Sequence, residues 1–432
     1  MLVAICFCRT LLLSTLIGAQ QMQNYLIARK ELIDKIVEAF VERDQSYISK
    51  NAGYNKQCKD LQTGLTSSMA CSQQQLSVAR WLVHYTDDWE RINKQLALVR
   101  AGLSNPNQGE ALEQADDGSW GSCINEWYRK LEPTVDALQS SRLDPAKLKP
   151  LKFLSNFQNT AWVMNYLWRL QISDIRQTGI NLRDELSAVQ TAIAQLLYKD
   201  QLHDLLTNND LGFRFAADFE AAFGDYLAQT QHRETGYWGP WYSFDGELVV
   251  SHDLSFTFHI VNYRRGNIEN WPLVIDTTLA IKNMVYPNGW RPNPETAYDL
   301  HNNYDVVQIF SYGWSEMNWD QKAMVRIEIQ EMLNWCLADT IDDGAFKDNT
   351  VDGYYFGVRF LDTIGYWRDE KRFWLIGEPQ GKPAPYDLCR SLNEAFQKIR
   401  DGSEEAEEVD WILRIAISQT EKSQLRKMSV EK

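Results

Sequence analysis

Gly236-Tyr-Trp-Gly-Pro-Trp-Tyr242, followed by His252-Asp-Leu-Ser-Phe-Thr-Phe-His-Ile-Val-Asn-Tyr263, is the stretch on which the reading of this chain turns. Glycine and proline punctuate the first segment as a loop, yet that loop carries two Trp and two Tyr. In the second, steps of i, i+4, i+7 and i+11 put His252, Phe256, His259 and Tyr263 on one helical face. Leu254, Phe258 and Val261 fall on the opposite face, as core contacts would. The stretch predicts a helix that packs on one side and shows polar and aromatic groups on the other.

The same apolar spacing extends in both directions. It marks helices near 24–46, 73–102, 122–140, 155–172, 177–206 and 208–229. After them come 252–264, 270–285, 297–313, 319–338, 352–368, 384–400 and 406–425. Turn chemistry separates them, as at Ser104-Asn-Pro-Asn107, Tyr286-Pro-Asn-Gly289 and Lys382-Pro-Ala-Pro385. Strand alternation is scarce, Gly246-Glu-Leu-Val-Val-Ser251 being the best candidate. The fold class is all-α. A bundle, a superhelical array or a closed α/α toroid would each fit, although no clean sequence repeat of the solenoid kind is found.

What does recur is a glycine-aromatic loop: Asp116-Asp-Gly-Ser-Trp-Gly121, Glu234-Thr-Gly-Tyr-Trp-Gly239 and Asp342-Asp-Gly-Ala-Phe346. Gln114-Ala-Asp-Asp-Gly-Ser-Trp120 resembles the Q-x-x-x-G-x-W loop of the terpenoid-cyclase-like α/α toroids. Gln231 to Trp238 is similar but one residue longer, and the third loop lacks both Gln and Trp. The resemblance covers three loops, and it implies an α/α toroid, a complete or incomplete barrel of helical hairpins. The Asp-x-Asp-Asp acid motif and the zinc set of the isoprenoid families are missing from the sequence. The same architecture also serves polysaccharide lyases, glycosidases and sugar epimerases, by analogy of fold alone.

Arg142-Leu-Asp-Pro-Ala-Lys-Leu-Lys-Pro150, with two prolines, places an expected boundary near 145–150. The chain thus divides into an export-signal candidate at 1–20, an N-terminal helical segment at 21–150 and a toroid domain at 151–432. Leu11 to Ala19 reads as a signal-peptide core, with Ile17 and Ala19 before a cleavage point. The expected destination is secreted or periplasmic, and cytoplasmic otherwise. No later apolar run approaches the ~20 residues of a membrane span. Cys58 and Cys71 bracket a polar loop and could bridge in an oxidising compartment, whereas Cys336 reads as a small buried hydrophobe.

Composition narrows the partners. A net charge of −14 argues against nucleic acid, whose non-specific binding needs clustered Lys and Arg. The 16 Trp, 19 Tyr and 17 Phe are more rings than exposed surface accommodates, so some line a concave surface as well as a core. A small molecule or glycan is the expected ligand.

Three helices present polar-aromatic stripes: His252 to Tyr263; His301, Tyr304, Asp305, Gln308 and Tyr312; and Tyr355, Arg359, Asp362 and Tyr366. The catalytic candidates are His252, His259, Tyr263, His301 and Asp305. The substrate-binding candidates are Trp238, Trp241, Trp290, Asn302, Tyr304, Tyr355 and Arg359. A lone His on a helix is more often structural, and Asn302 or Asn303 reads equally as a helix cap. Three of the six His, in so short a span, weigh towards a site. No recognised metal spacing, P-loop or nucleophile elbow is present, and no cofactor is expected. The leading expectation is a carbohydrate-active enzyme. As a uronate lyase it would use His or Tyr as base and acid and Arg or Asn against the carboxylate. As a hydrolase it would use two carboxylates, Asp253 and Asp305. A non-catalytic binding or scaffold protein of the same fold is the alternative, and an enzyme of isoprenoid or other apolar substrates the third reading.

Overall fold

A computed structural model describes residues 114, 117–120, 128, 131–139, 143–174, 181–208, 211–244, 247–293, 295–375, 386–401 and 403–430. The expected export signal, the helices at 24–46 and 73–102, and Cys58 and Cys71 lie outside these residues. Twelve α-helices are described: α1 Leu131–Gln139, α2 Thr160–Gln171, α3 Arg183–Tyr198, α4 Asp200–Asn208, α5 Phe219–Thr230 and α6 Leu254–Tyr263. They continue with α7 Trp271–Ala280, α8 Leu300–Gly313, α9 Trp319–Trp335, α10 Val351–Thr363, α11 Tyr386–Phe396 and α12 Glu404–Val430. The all-α reading holds. The strands are short: β1 Ile172–Ser173, β2 Trp241–Phe244 and β3 Glu247–Val250 form one sheet in that order, and β4 Ile341–Asp342 pairs with β5 Ala345–Phe346. Among the described residues no helix is long and apolar enough to cross a membrane.

Local chemistry sets the helix starts. Asn159, Asp253, Asp299 and Thr350 each accept a backbone N–H of the first turn that follows, and Asn318 with Gln321 makes a reciprocal capping box on α9. Asp299, and neither Asn302 nor Asn303, is therefore the cap of α8.

Six helices pack in succession, α1 on α3, α3 on α6, α6 on α8, α8 on α10 and α10 on α12. The others flank them: α2 and α4 lie on α3, α5 on α2, α7 and α9 on α8, and α11 on α12. Two apolar cores result. Leu131, Val135, Leu154, Phe157, Ile193, Phe219 and Phe223 belong to the first, and Trp290, Val307, Phe310, Tyr354, Leu392 and Leu413 to the second. Each such large side chain contributes about 1.5–3 kcal/mol on burial. Leu131 and Val135 share a core with Leu154 and Ile193, so no break in packing accompanies the prolines at 145–150. Helix α6 serves both cores, giving Phe256 and Ile260 to one and Leu254, Phe258 and Val261 to the other.

The three glycine-aromatic loops prove to be one joint used three times. Gly118, Gly236 and Gly344 have φ of 83°, 70° and 74°, a backbone that side chains with a Cβ disfavour. The Gln114 amide donates to the carbonyls of Gly118 (3.0 Å) and Lys149 (2.9 Å), and Gln231 does the same to Gly236 (2.8 Å) and Glu269 (2.9 Å). Each Gln thereby ties its loop to the approach of a later element. The aromatic residue two places after the glycine then donates its backbone N–H to a hydroxyl of the next helix in the succession. Trp120 meets Thr134 on α1 (2.9 Å), Trp238 meets Thr257 on α6 (3.2 Å) and Phe346 meets Tyr354 on α10 (3.3 Å).

Candidate functional site

Because α6 gives side chains to both cores, only the end of its polar stripe is left for a ligand. His259 stacks on Tyr263 one turn later, with rings 5.7 Å apart and 7° from parallel. From the adjoining helix, Tyr304 meets Phe258 at 5.5 Å and Tyr355 of α10 at 6.3 Å. Arg359 lies over both Tyr304 and Tyr355, at 5.0 and 5.9 Å from their ring centres. Its Nε donates to the Tyr304 hydroxyl (3.2 Å), a second N–H does so as well, and Nη1 pairs with Glu408 of α12. Three successive helices thus supply one continuous wall.

That wall is half-buried. His259, Tyr263, Tyr355 and Arg359 all keep part of their surface open to solvent. Yet burial dominates the titration of the imidazole and phenols, pushing His259 down to about 3 and the hydroxyls of Tyr263 and Tyr355 up. Side chains that touch water but are enclosed by protein line a recess. His301, Arg183 and Lys199 reinforce the drop at His259, so its ring is neutral at physiological pH. Its Nδ1 has no hydrogen-bond partner among the described residues.

One edge of the recess is acidic. Helix α3 ends at Tyr198 and α4 starts at Asp200, so the break turns Lys199 inward. The Lys199 ammonium donates to Gln139 of α1, stands 3.6 Å from Glu404 of α12 and lies 5.9 Å from the Tyr263 ring centre. Tyr263 in turn accepts from Gln195 (2.8 Å). Asp136, one turn before Gln139, has its carboxyl pushed up to about 7 by burial first and then by Glu132 and Glu405, with Lys199 opposing. Burial also raises the Glu404 carboxyl against the pull of Lys199.

Below the wall lie groups that belong to the frame. Asp253 accepts from Arg183 Nε (2.9 Å) and Nη2 (3.3 Å), and from the backbone N–H of Phe256 (3.1 Å). Asp305 is completely buried, accepts from the Tyr286 hydroxyl (3.3 Å), and burial holds its carboxyl well above the usual range. His301 Nε2 stands 3.7 Å from Asp305 Oδ2, while burial lowers the imidazole and raises the carboxyl. The His301 ring stacks on Phe356 at 4.1 Å and its side chain is 42% exposed.

Of the residues singled out from sequence, the structure brings together His259, Tyr263, Tyr304, Tyr355 and Arg359, with His301 close enough to act on His259 electrostatically. It separates the rest. His252 precedes the Asp253 cap and so lies outside helix α6; it is buried with its ring 6.5 Å from Tyr237. Trp238 is buried and donates to the Leu227 carbonyl (2.8 Å), and Trp290 is fully enclosed against Phe310. Trp241 packs on Trp168 at 6.2 Å beside the small sheet. Asn302 donates to the Trp290 carbonyl (2.8 Å), a structural bond. Asp305 is too enclosed to flank a bound substrate, and Asp253 is committed to Arg183 and its cap. Asp362, in the third stripe, is held by Arg368, Lys371 and Trp367.

Sequence reading missed Asp136, Lys199, Glu404 and Glu408. The Glu404 to Glu408 spacing, i and i+4 at the start of a helix, was the available signal. Among the described residues no group of three His, Cys, Asp or Glu converges as a metal site. A separate recess of about 480 Å³, bounded by Asp342, Phe346, Lys347, Asn349 and Lys398, lies at the β4–β5 hairpin, away from these groups.

No protein-family model matches the chain. Neither a curated protein nor a solved structure matches it significantly.

Proposed function

We propose that this protein is a carbohydrate-active enzyme on an α/α toroid, and that it cleaves glycosidic bonds by hydrolysis. Supporting the architecture, the helices that pack in succession alternate along the chain with the helices that flank them, α4 being the one extra. The repeated glutamine-glycine joint adds to this, since it stands before α1 and before α6 alike. On this reading the recess lies on the toroid axis.

The observation that carries the function is the half-buried pair Tyr263 and Tyr355, linked through Lys199 to Glu404 and through Arg359 to Glu408. Tyrosine faces stack on sugar rings while their hydroxyls bond sugar hydroxyls. Carboxyl groups supply the acid and base of glycoside hydrolysis. Uronate elimination is less well served. Arg183, Arg359 and Lys199, the cations at hand for a sugar carboxylate, are paired with Asp253, Glu408 and Glu404. The acidic edge repels an anionic chain besides. Export through Leu11 to Ala19 would bring such an enzyme to its polymer.

The test is incubation with neutral, amino and uronate polysaccharides, measuring reducing ends and ultraviolet absorbance together. The expected result is new reducing ends from a neutral or amino glycan, without an unsaturated product. An absorbing unsaturated product would make the protein a lyase, and no cleavage across the panel would remove the enzymatic reading.

A further inference from the structure

Helix α9 does not stop cleanly at Trp335. Cys336–Thr340 continue it as a wider π-helical turn, which runs straight into the β4–β5 hairpin. Asp343 and Gly344 make the tip, with φ of 46° and 74°, as a two-residue hairpin turn with both φ positive requires. The tip is set close against α11, since a Cβ on Gly344 would stand 2.4 Å from the Ser391 Cβ. Between this hairpin and the end of α11 lies the recess of about 480 Å³. Its size falls within the ~300–1,000 Å³ of small-molecule sites. It shares no lining residue with the tyrosine wall.

The floor is apolar and fixed. The Phe346 ring meets Tyr354 edge-on at 5.1 Å and lies against Gly357, where a Cβ would come within 2.5 Å of it. Ala345 and Ala395 add small apolar sides. The rim is cationic. Lys347 comes from the hairpin and Lys398 from the turn after α11, and backbone bonds hold both. The Lys347 N–H donates to the Thr340 carbonyl (2.8 Å) and the Lys398 N–H to the Ala395 carbonyl (3.1 Å). Among the described residues neither ammonium has an ion pair or a side-chain hydrogen bond, whereas Arg183, Lys199 and Arg359 are all paired. Asn349 adds an amide that can donate, and Asp342 a single carboxylate. Two cations against one carboxylate leave this rim net positive, in a chain whose net charge is −14.

We propose that this recess binds a small organic anion, a carboxylate or phosphate ester with a ring-sized apolar body. The acid group lies between Lys347 and Lys398, with the Asn349 amide as a further donor. The apolar body covers Ala345, Phe346 and Ala395. Asp342 repels the acid group and so keeps it on the lysine side. The site stands apart from the hydrolytic reading and does not depend on it.

The experiment titrates the full chain, by calorimetry at low salt, with benzoate, phenyl phosphate, inorganic phosphate and the neutral benzamide. Benzoate or phenyl phosphate is expected to saturate with a Kd of about 1 mM or below, and benzamide to bind at least about tenfold more weakly. Lys347→Met and Lys398→Met should each weaken the anion by about tenfold, as loss of one charge-assisted hydrogen bond does, with the urea midpoint unchanged. Asp342→Asn should tighten it. The better of the two aromatic anions tells a carboxylate ligand from a phosphate ester. Benzamide binding equal to benzoate, or anion binding that survives both lysine substitutions together, overturns the assignment. So does failure of both aromatic anions to saturate by about 10 mM. Inorganic phosphate as tight as phenyl phosphate overturns the role of the apolar floor. No glycan and no turnover enter these titrations, so their outcome is separate from the fate of the hydrolytic reading.

Discussion

Asp253 and Asp136 are both carboxyl groups among charged neighbours, and the protein treats them in opposite ways. Asp253 receives two N–H groups of Arg183 and a helix-start N–H. Asp136 is given Glu132, Glu404 and Glu405 for company, and one cation, Lys199, that is shared with Gln139 and Glu404. The first arrangement fixes a charge where the α3–α6 contact needs it. The second keeps a proton loosely held near neutral pH. The contrast separates a buried charge that builds the frame from an exposed carboxyl set among others of its own sign.

The largest effect should come from breaking the paired side. Arg183→Met leaves Asp253 buried without its counter-ion and should cost about 3–5 kcal/mol, read as a fall in urea midpoint. Adding Asp253→Asn, which keeps an N-cap oxygen, should recover most of that loss. Failure to recover would mean that Arg183 acts by packing on Phe256, over whose ring its guanidinium lies at 5.5 Å.

A backbone lesion should be milder. A Cβ on Gly236 would come within 2.9 Å of the Val274 backbone N and side chain, in a left-handed conformation. Gly236→Ala should therefore cost about 1–3 kcal/mol by overpacking.

The smallest effect, muted by solvent screening at the exposed Asp136, lies on the acidic side and depends on pH. The folded protein raises Asp136 from 3.8 to about 7, so it favours the protonated form. Stability contributed by that preference is full below pH 4 and is lost as pH rises towards 7. Asp136→Asn should leave the melting temperature unchanged at pH 4 and raise it at pH 8. An equal change at both pH values would show that Asp136 is an ordinary surface carboxylate.

Much of the frame was legible in the sequence because apolar spacing alone specifies it. The helices expected at 252–264, 297–313 and 352–368 correspond to α6, α8 and α10, and the strand expected at 246–251 to β3. The helix expected at 177–206 is two helices, since Lys199 is as good a helix former as its neighbours and nothing local marks the break. The stripe beginning at His252 was half right. Its spacing is helical, but Asp253 starts the helix after it, and Phe256 turns to a second core that periodicity on one helix does not reveal. Within the site, His259, Tyr263, Tyr304, Tyr355 and Arg359 were visible as stripes. Asp136 and Glu404 were hidden among acidic residues of ordinary appearance, because Lys199, which acts on both, stands on a stretch far from either in sequence.

The thrice-used joint has a consequence for how this architecture can vary. Its defining bond starts from a main-chain N–H, which every residue except proline carries. What the next helix must offer is one hydroxyl, and Thr134, Thr257 and Tyr354 fill that place from 14, 19 and 8 residues downstream of their partners. A rule so undemanding tolerates almost any spelling around it. Three copies of the same mechanical part can therefore drift until their letters no longer match, while the part itself is still being made.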